Sequence, residues 1–132
     1  MSGPALTLMV RSAVGVVVDR AVQSVTAEDE SGWFGIFPGR SDLVAVLPPG
    51  ILVFRDADAE GFVAASGGIL DLRGARCRVL CHDALWSRDL DAISADVARF
   101  VAARRKRHGV GADIVDQLVR EALRRMAGAE RA

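Results

Sequence analysis

The chain has 132 residues, 51% of them hydrophobic, and its 17 basic and 17 acidic side chains cancel. That length fits one small domain or a domain with an appendage, and the apolar content can build a core, which excludes a disordered chain. Neutrality argues against a general nucleic-acid binder, which carries a basic excess, and against electrostatic docking on anionic lipid.

Residues 5–10 form a short apolar run, and residues 14–18 are rich in β-branched side chains. Residues 22–25 make a third candidate strand before the acidic turn Glu28-Asp29-Glu30-Ser31-Gly32. Residues 43–47 and 51–54 flank Pro48-Pro49-Gly50, a turn because two prolines cannot continue a ladder. The same break leaves the longest apolar stretch, 43–54, far short of the ~20 residues of a membrane-spanning helix. The N-terminus has no basic region ahead of an apolar run, so no signal peptide is expected and the chain reads as cytoplasmic. Residues 56–61 are a polar connection sized for a hairpin loop. Residues 62–66, 69–72 and 77–81 follow as strands, separated by Gly67-Gly68 and Arg73-Gly74-Ala75. Around nine short strands with regular turn signals predict a sandwich or barrel, not a βαβ fold.

In the last of these strands Cys77, Val79 and Cys81 alternate with Arg78, Leu80 and His82, which suits one buried face. On a strand the two cysteines sit roughly 13 Å apart at ~3.3 Å per residue, beyond the ~7 Å reach of a disulfide. Two reduced thiols packed as small core side chains are expected. Cys-x3-Cys-His has no second ligand pair elsewhere, so no metal is expected.

The text changes character near residue 88. Residues 1–88 are rich in Val, Gly and Pro, with 8 basic and 10 acidic side chains; residues 89–132 are rich in Ala and Arg, lack proline, and hold 9 basic and 7 acidic. The predicted division is a β-sandwich over 1–88 and a helical hairpin over 89–132. Leu90, Ile93, Val97, Phe100 and Val101 share one helical face. Asp89 or Asp91 caps that helix, and Arg104-Arg105-Lys106-Arg107 closes it at the negative end of its dipole. Gly109 and Gly111 break it. Asp113 caps a second helix with an apolar stripe of Ile114, Val115, Leu118, Val119, Ala122, Leu123 and Met126, and the short link makes a hairpin.

The most specific text is Gly35-Ile36-Phe37-Pro38-Gly39-Arg40-Ser41-Asp42-Leu43, followed by Leu47-Pro48-Pro49-Gly50 and Ser66-Gly67-Gly68-Ile69-Leu70. On physical grounds the prolines and glycines set tight loops at one end of a sandwich, and Gly67-Gly68 makes a turn or admits a second backbone. In this order and spacing the three segments resemble the epsilon subunit of F-type ATP synthases, over residues 6–107. The resemblance implies a sandwich of about ten strands, then the hairpin. It implies a non-catalytic rotor subunit on the cytoplasmic side of the bacterial inner membrane, clamped to gamma and resting on the c-ring, without inserting into the membrane.

By the same resemblance residues 33–41 match the loop that faces the c-ring and the foot of gamma. Its contact residues would be Trp33, Phe34, Gly35, Phe37, Pro38, Gly39, Arg40 and Ser41. Trp33 replaces a commonly acidic residue and Arg40 a usual histidine. An exposed Trp at a loop tip suits an interface anchor; Trp86, at the junction, suits packing. The hairpin is implied as a regulatory element that inhibits hydrolysis when extended. Arg104, Arg105 and Arg107 would then meet the alpha/beta catalytic head. Some relatives bind ATP through a pattern like Ile/Leu-Asp-x-x-Arg-Ala. Here it reads Leu90-Asp91-Ala92-Ile93-Ser94-Ala95, and Ser94 removes the bidentate partner of a phosphate. Weak or no ATP binding is expected, with Asp91 and Arg99 as the candidate contacts. The altered loop, Ser94 and the Arg and Ala content are similar to the divergent epsilon subunits of second-operon, sodium-assigned ATPases; proton or sodium coupling is decided in the c subunit.

The sequence also admits three rival classes. An enzyme would need a phosphate loop, a dinucleotide fingerprint or a nucleophile elbow, and the chain has none; His82 and His108 sit in no triad. A nucleotide-sensing regulatory module would use the hairpin. A nucleic-acid binder would use Arg104 to Arg107, but no aromatics interleave with that run.

Overall fold

The computed structural model describes residues 5–106, with side chains through residue 104. Ten strands come first: β1 (Leu6–Ser12), β2 (Gly15–Val22), β3 (Ser24–Asp29), β4 (Gly32–Ile36), β5 (Leu43–Leu47), β6 (Gly50–Arg55), β7 (Glu60–Ala65), β8 (Gly68–Arg73), β9 (Arg76–Cys81) and β10 (Ala84–Ser87). Among the described residues one helix, α1 (Leu90–Lys106), follows them. The second helix expected over 113–126 lies outside the described residues.

The strands make two five-stranded sheets, ordered β2-β1-β9-β8-β5 and β10-β7-β6-β3-β4. All pairings are antiparallel except β1 with β9, where Thr7 lies opposite Arg76 and Arg11 opposite Leu80. Alternation decides which side chains go in. Leu6, Leu8 and Val10 of β1 are buried, as are Leu52 and Phe54 of β6, Leu70 and Leu72 of β8, and Cys77 and Val79 of β9; all join one core between the sheets. Burying a side chain of this kind contributes about 1.5–3 kcal/mol.

The expected strand over 22–25 is two strands. Val22 ends β2 in one sheet and Val25 lies in β3 of the other, with Gln23 between them donating its N–H to the Arg55 carbonyl at 2.7 Å. Both valines are fully buried although three positions apart, because the chain crosses from sheet to sheet and the alternation restarts. The ten strands agree with the number that the resemblance implies; β4 and the four-residue β10 are the two that the apolar runs do not announce.

The helix begins as expected. The carboxylate of Asp89 accepts the Asp91 N–H at 3.0 Å, and the Ser87 hydroxyl accepts the Asp89 N–H at 2.9 Å. Asp89 is therefore the cap. Ile93 and Phe100 are buried on the outer face of the second sheet, against Ala64, Ile51, Phe62 and Leu85, with Val97 beside them. Leu90 departs from the expected stripe and is 45% exposed.

The proline-glycine segments do not share an end of the sandwich as expected. They flank β5, so Pro38-Gly39 lies at one end and Pro48-Pro49-Gly50 at the other. The first end also holds the β6–β7 and β8–β9 turns and the start of α1. The second holds the turns after β1, β3, β7 and β9.

Candidate functional site

The segment 33–41 is not one loop. Trp33, Phe34 and Gly35 belong to β4, an edge strand paired only with β3, with Glu28 opposite Trp33 and Thr26 opposite Gly35. Phe34 turns inward and packs on the core. Trp33 turns outward and is 55% exposed; Phe37, at the far end of the strand, is 63% exposed. Four positions of strand put these two roughly 13 Å apart along the chain at ~3.3 Å per residue. The Phe37 ring lies over Gly35, where an added Cβ would come within 3.1 Å of it. Residues 37–40 close a turn through the Arg40 N–H and the Phe37 carbonyl at 3.2 Å, with Gly39 at φ 90°. Pro followed by Gly fits a type II turn there. Arg40 and Ser41 are exposed. Asp42 then accepts the Gly74 N–H at 2.8 Å, tying this loop to the β8–β9 turn.

Trp33 keeps other company. At its end of the sandwich are the β1–β2 turn, whose Val14 is 97% exposed, the half-buried Pro48 and Pro49, and Gly67. Running from that end across the outer face of the first sheet is a row set by register: Val16, Arg11, Leu80, Ile69 and Val46. Leu80 is 55% exposed in this row. Beside it Asp71 pairs with Arg78 at 2.6 Å and with Arg73 at 3.3 Å. No described element covers this face, whereas α1 covers part of the opposite one. Exposed apolar side chains grouped at an end and a face mark an interaction surface.

Gly68 explains the Ser-Gly-Gly segment. An added Cβ would run into the Leu80 carbonyl oxygen, so β8 and β9 approach more closely there than any side chain allows. Gly67 supplies φ 101° for the turn before it.

On α1 the expected nucleotide contacts do not converge. Asp91 and Arg99 are eight positions apart, roughly 12 Å along a helix at 1.5 Å per residue. Arg99 pairs with Asp96 at 2.9 Å. The Ser94 hydroxyl donates to the Asp91 carbonyl at 3.1 Å. Arg104 is half-buried near the helix end; the Arg105 side chain and Arg107 lie outside what is described. Cys77 is buried and Cys81 half-buried, both free. Burial pushes their thiols up to about 12 and about 11, so both stay protonated at neutral pH.

One cluster was missed. Asp56, in the β6–β7 turn, receives Arg88 at 2.7 and 3.2 Å and Arg20 at 3.0 Å. The same carboxylate accepts the N–H groups of Asp58 and Ala59. Arg88, with desolvation opposing and the two backbone donors assisting, holds this carboxyl well below the usual carboxylate range. Both guanidiniums stack on Trp86, at 4.6 Å for Arg20 and 5.5 Å for Arg88, and Trp86 tilts against Phe54 at 5.7 Å. Trp86 therefore packs at the junction, as expected. The sequence signal was the Asp-x-Asp spacing of an Asx turn; the arginines that join it come from β2 and from the link between β10 and α1.

Residues 5–87 match the family model described as the beta-sandwich domain of the ATP synthase Delta/Epsilon chain. The ATP synthase epsilon chain 2 of Cereibacter sphaeroides is 37% identical over 110 residues, 77% of this chain and 75% of the relative. The ATP synthase epsilon chain of Anoxybacillus flavithermus is 35% identical over 91 residues, 69% of this chain and 68% of the relative. Two solved assemblies share the fold at low identity. One is the central stalk and c-ring of the Tetrahymena thermophila mitochondrial ATP synthase, with TM-score 0.54, 17% identity, and coverage of 73% of this chain and 75% of that one. The other is the OSCP/F1/c-ring assembly of the Euglena gracilis mitochondrial enzyme, with TM-score 0.59, 16% identity, and coverage of 98% and 83%.

Proposed function

Since the chain belongs to the family of F-type ATP synthase epsilon subunits, we propose that its sandwich joins the c-ring to gamma and turns with both, with no chemistry of its own. The observation that carries this is the placement of exposed apolar groups. Val14 and Trp33 gather at the end away from the start of α1, beside the half-buried Pro48-Pro49 turn, and Val16 and Leu80 continue them along an outer face that no described residue covers. An end with an apolar tip suits a ring-shaped partner beneath the subunit, and the adjoining face suits gamma beside it. Phe37, Pro38, Gly39, Arg40 and Ser41, at the other end, would meet a part of gamma higher on the stalk.

The subunit would work on the cytoplasmic side of the inner membrane. Among the described residues no helix is long and apolar enough to cross it. We further assign regulation to the segment after residue 89, with Arg104, Arg105 and Arg107 facing the catalytic head when it extends. Ser94 in place of arginine, and Arg99 engaged by Asp96, support weak or no ATP binding.

The test is co-expression with the gamma subunit of the same organism, followed by size-exclusion chromatography and mass determination. A one-to-one complex is expected. Two folded partners that elute apart would overturn the reading.

A further inference from the structure

We propose that Asp56 and Arg88 form a latch that fixes the start of α1 to the sandwich, so that the helix leaves the sheet only when the latch opens. This inference holds whether or not the chain enters a rotor. Arg88 is the residue before the helix cap, Asp89. Its guanidinium reaches across to the β6–β7 turn and makes four contacts there. Two go to the Asp56 carboxylate, and two to the carbonyls of Ala59 at 2.9 Å and Glu60 at 3.3 Å. The Asp56 side chain is 9% exposed, and its own turn holds it in place through the Asp58 and Ala59 N–H groups. The receptor is thus built independently of the arginine.

A second arginine, Arg20, shares the Asp56 carboxylate without being part of the latch. It comes from β2 in the first sheet and donates to the same carboxylate, while its guanidinium lies over the Trp86 ring. Asp56 therefore ties both sheets and the helix start to one point. The Trp86 ring lies beside both guanidiniums, at 4.6 and 5.5 Å, and tilts against Phe54, so an aromatic surface flanks the ion pairs. Charged hydrogen bonds in such surroundings are stronger than exposed ones. Beyond the latch, the apolar contact of Ile93, Val97 and Phe100 holds α1 to the sheet. Two attachments of different character thus meet here: an ionic one just ahead of the helix cap and an apolar one along the helix.

Hydrogen exchange on the full chain, read by mass spectrometry, tests this for Arg88→Gln, Asp56→Asn and, as a control, Arg20→Gln. In the first two variants peptides covering 90–104 should exchange about tenfold faster, a change suited to losing charged hydrogen bonds. Peptides of β1 and β9 should keep their protection. Arg20→Gln should leave the helix unchanged, because Arg88 keeps its own contacts. Should Asp56→Asn fail to fold, Arg88→Met, which keeps an apolar stem beside Trp86, decides alone. Unchanged helix exchange overturns the proposal. So does protection lost equally from β1 and β9, or an Arg20→Gln variant that frees the helix as much as Arg88→Gln.

Discussion

Replacing Gly68 by alanine should destabilise the sandwich, while the same replacement at Gly50 should not. At Gly68 the new Cβ would overlap the Leu80 carbonyl oxygen and stand 3.0 Å from both the Leu80 carbonyl carbon and the Cys81 Cβ. The first two obstacles are backbone atoms inside a ladder, where Gly68 pairs with Cys81 on one side and Leu47 on the other. They cannot rotate away, so β8 and β9 must separate. Overpacking of this kind costs about 1–3 kcal/mol. The less flexible unfolded chain returns about 0.4–1 kcal/mol. A net loss of about 1–2 kcal/mol lowers the melting temperature by roughly 5–15 °C in a domain of this size. At Gly50 the nearest atom is the Pro48 carbonyl oxygen at an ordinary 3.9 Å, and φ lies outside the left-handed region. Only the unfolded-state effect remains there, and the melting temperature should hold or rise by a few degrees. Thermal melts followed by circular dichroism, with urea titration as a check, measure both. If Gly68→Ala melts with the parent, or if both variants fall together, the close approach of β8 and β9 is not what selects glycine.

Three further outcomes are expected. Trp33→Ala should weaken capture of the chain by gamma and c-ring by tenfold or more, as for an aromatic anchor, while moving stability by less than about 0.5 kcal/mol; a binding assay beside a melt separates the two. Asp56 has a folded pKa depressed mainly by Arg88, so its stabilisation is complete above the unfolded value near ~3.9 and is lost as pH falls toward the folded one. Stability should fall more steeply below about pH 4 in the parent than in Asp56→Asn. Ile93→Ala removes a fully buried side chain between helix and sheet and should loosen that contact by about 2–5 kcal/mol, read as faster exchange of α1 amides with the sandwich melt little changed.

Much of the fold was legible because alternation and turn residues are local signals. The burial of Cys77 and Val79 beside an exposed Leu80 follows from period two alone. The cap at Asp89 follows from side-chain chemistry at a helix start. What failed was what depends on distant partners. Val22 and Val25 read as one strand because nothing local announces a crossing between sheets. Trp33 to Gly35 read as loop because a short edge strand flanked by glycines carries little apolar run; its register against β3 exists only once β3 is in place. At the candidate site, residues 33–41 were adjacent in sequence, yet a strand holds Trp33 and Phe37 at opposite ends. The Asx turn at Asp56 has a local spacing, but Arg20 and Arg88 reach it only through the fold, so no spacing could reveal the pairing.

The parallel pairing of β1 with β9 has a kinetic consequence. As the chain leaves the ribosome, β1 finds one of its two neighbours at once, in the β1–β2 hairpin, but its other neighbour is synthesised after seven further strands. Until β9 arrives, one side of β1 offers unpaired N–H and carbonyl groups beside the apolar Leu6, Leu8 and Val10. Closure of so long a loop is slow compared with hairpin formation, and such an edge invites pairing with other chains. The interval before β9 docks is therefore when this subunit is most open to aggregation, and a chaperone or the early arrival of an assembly partner would act in that interval.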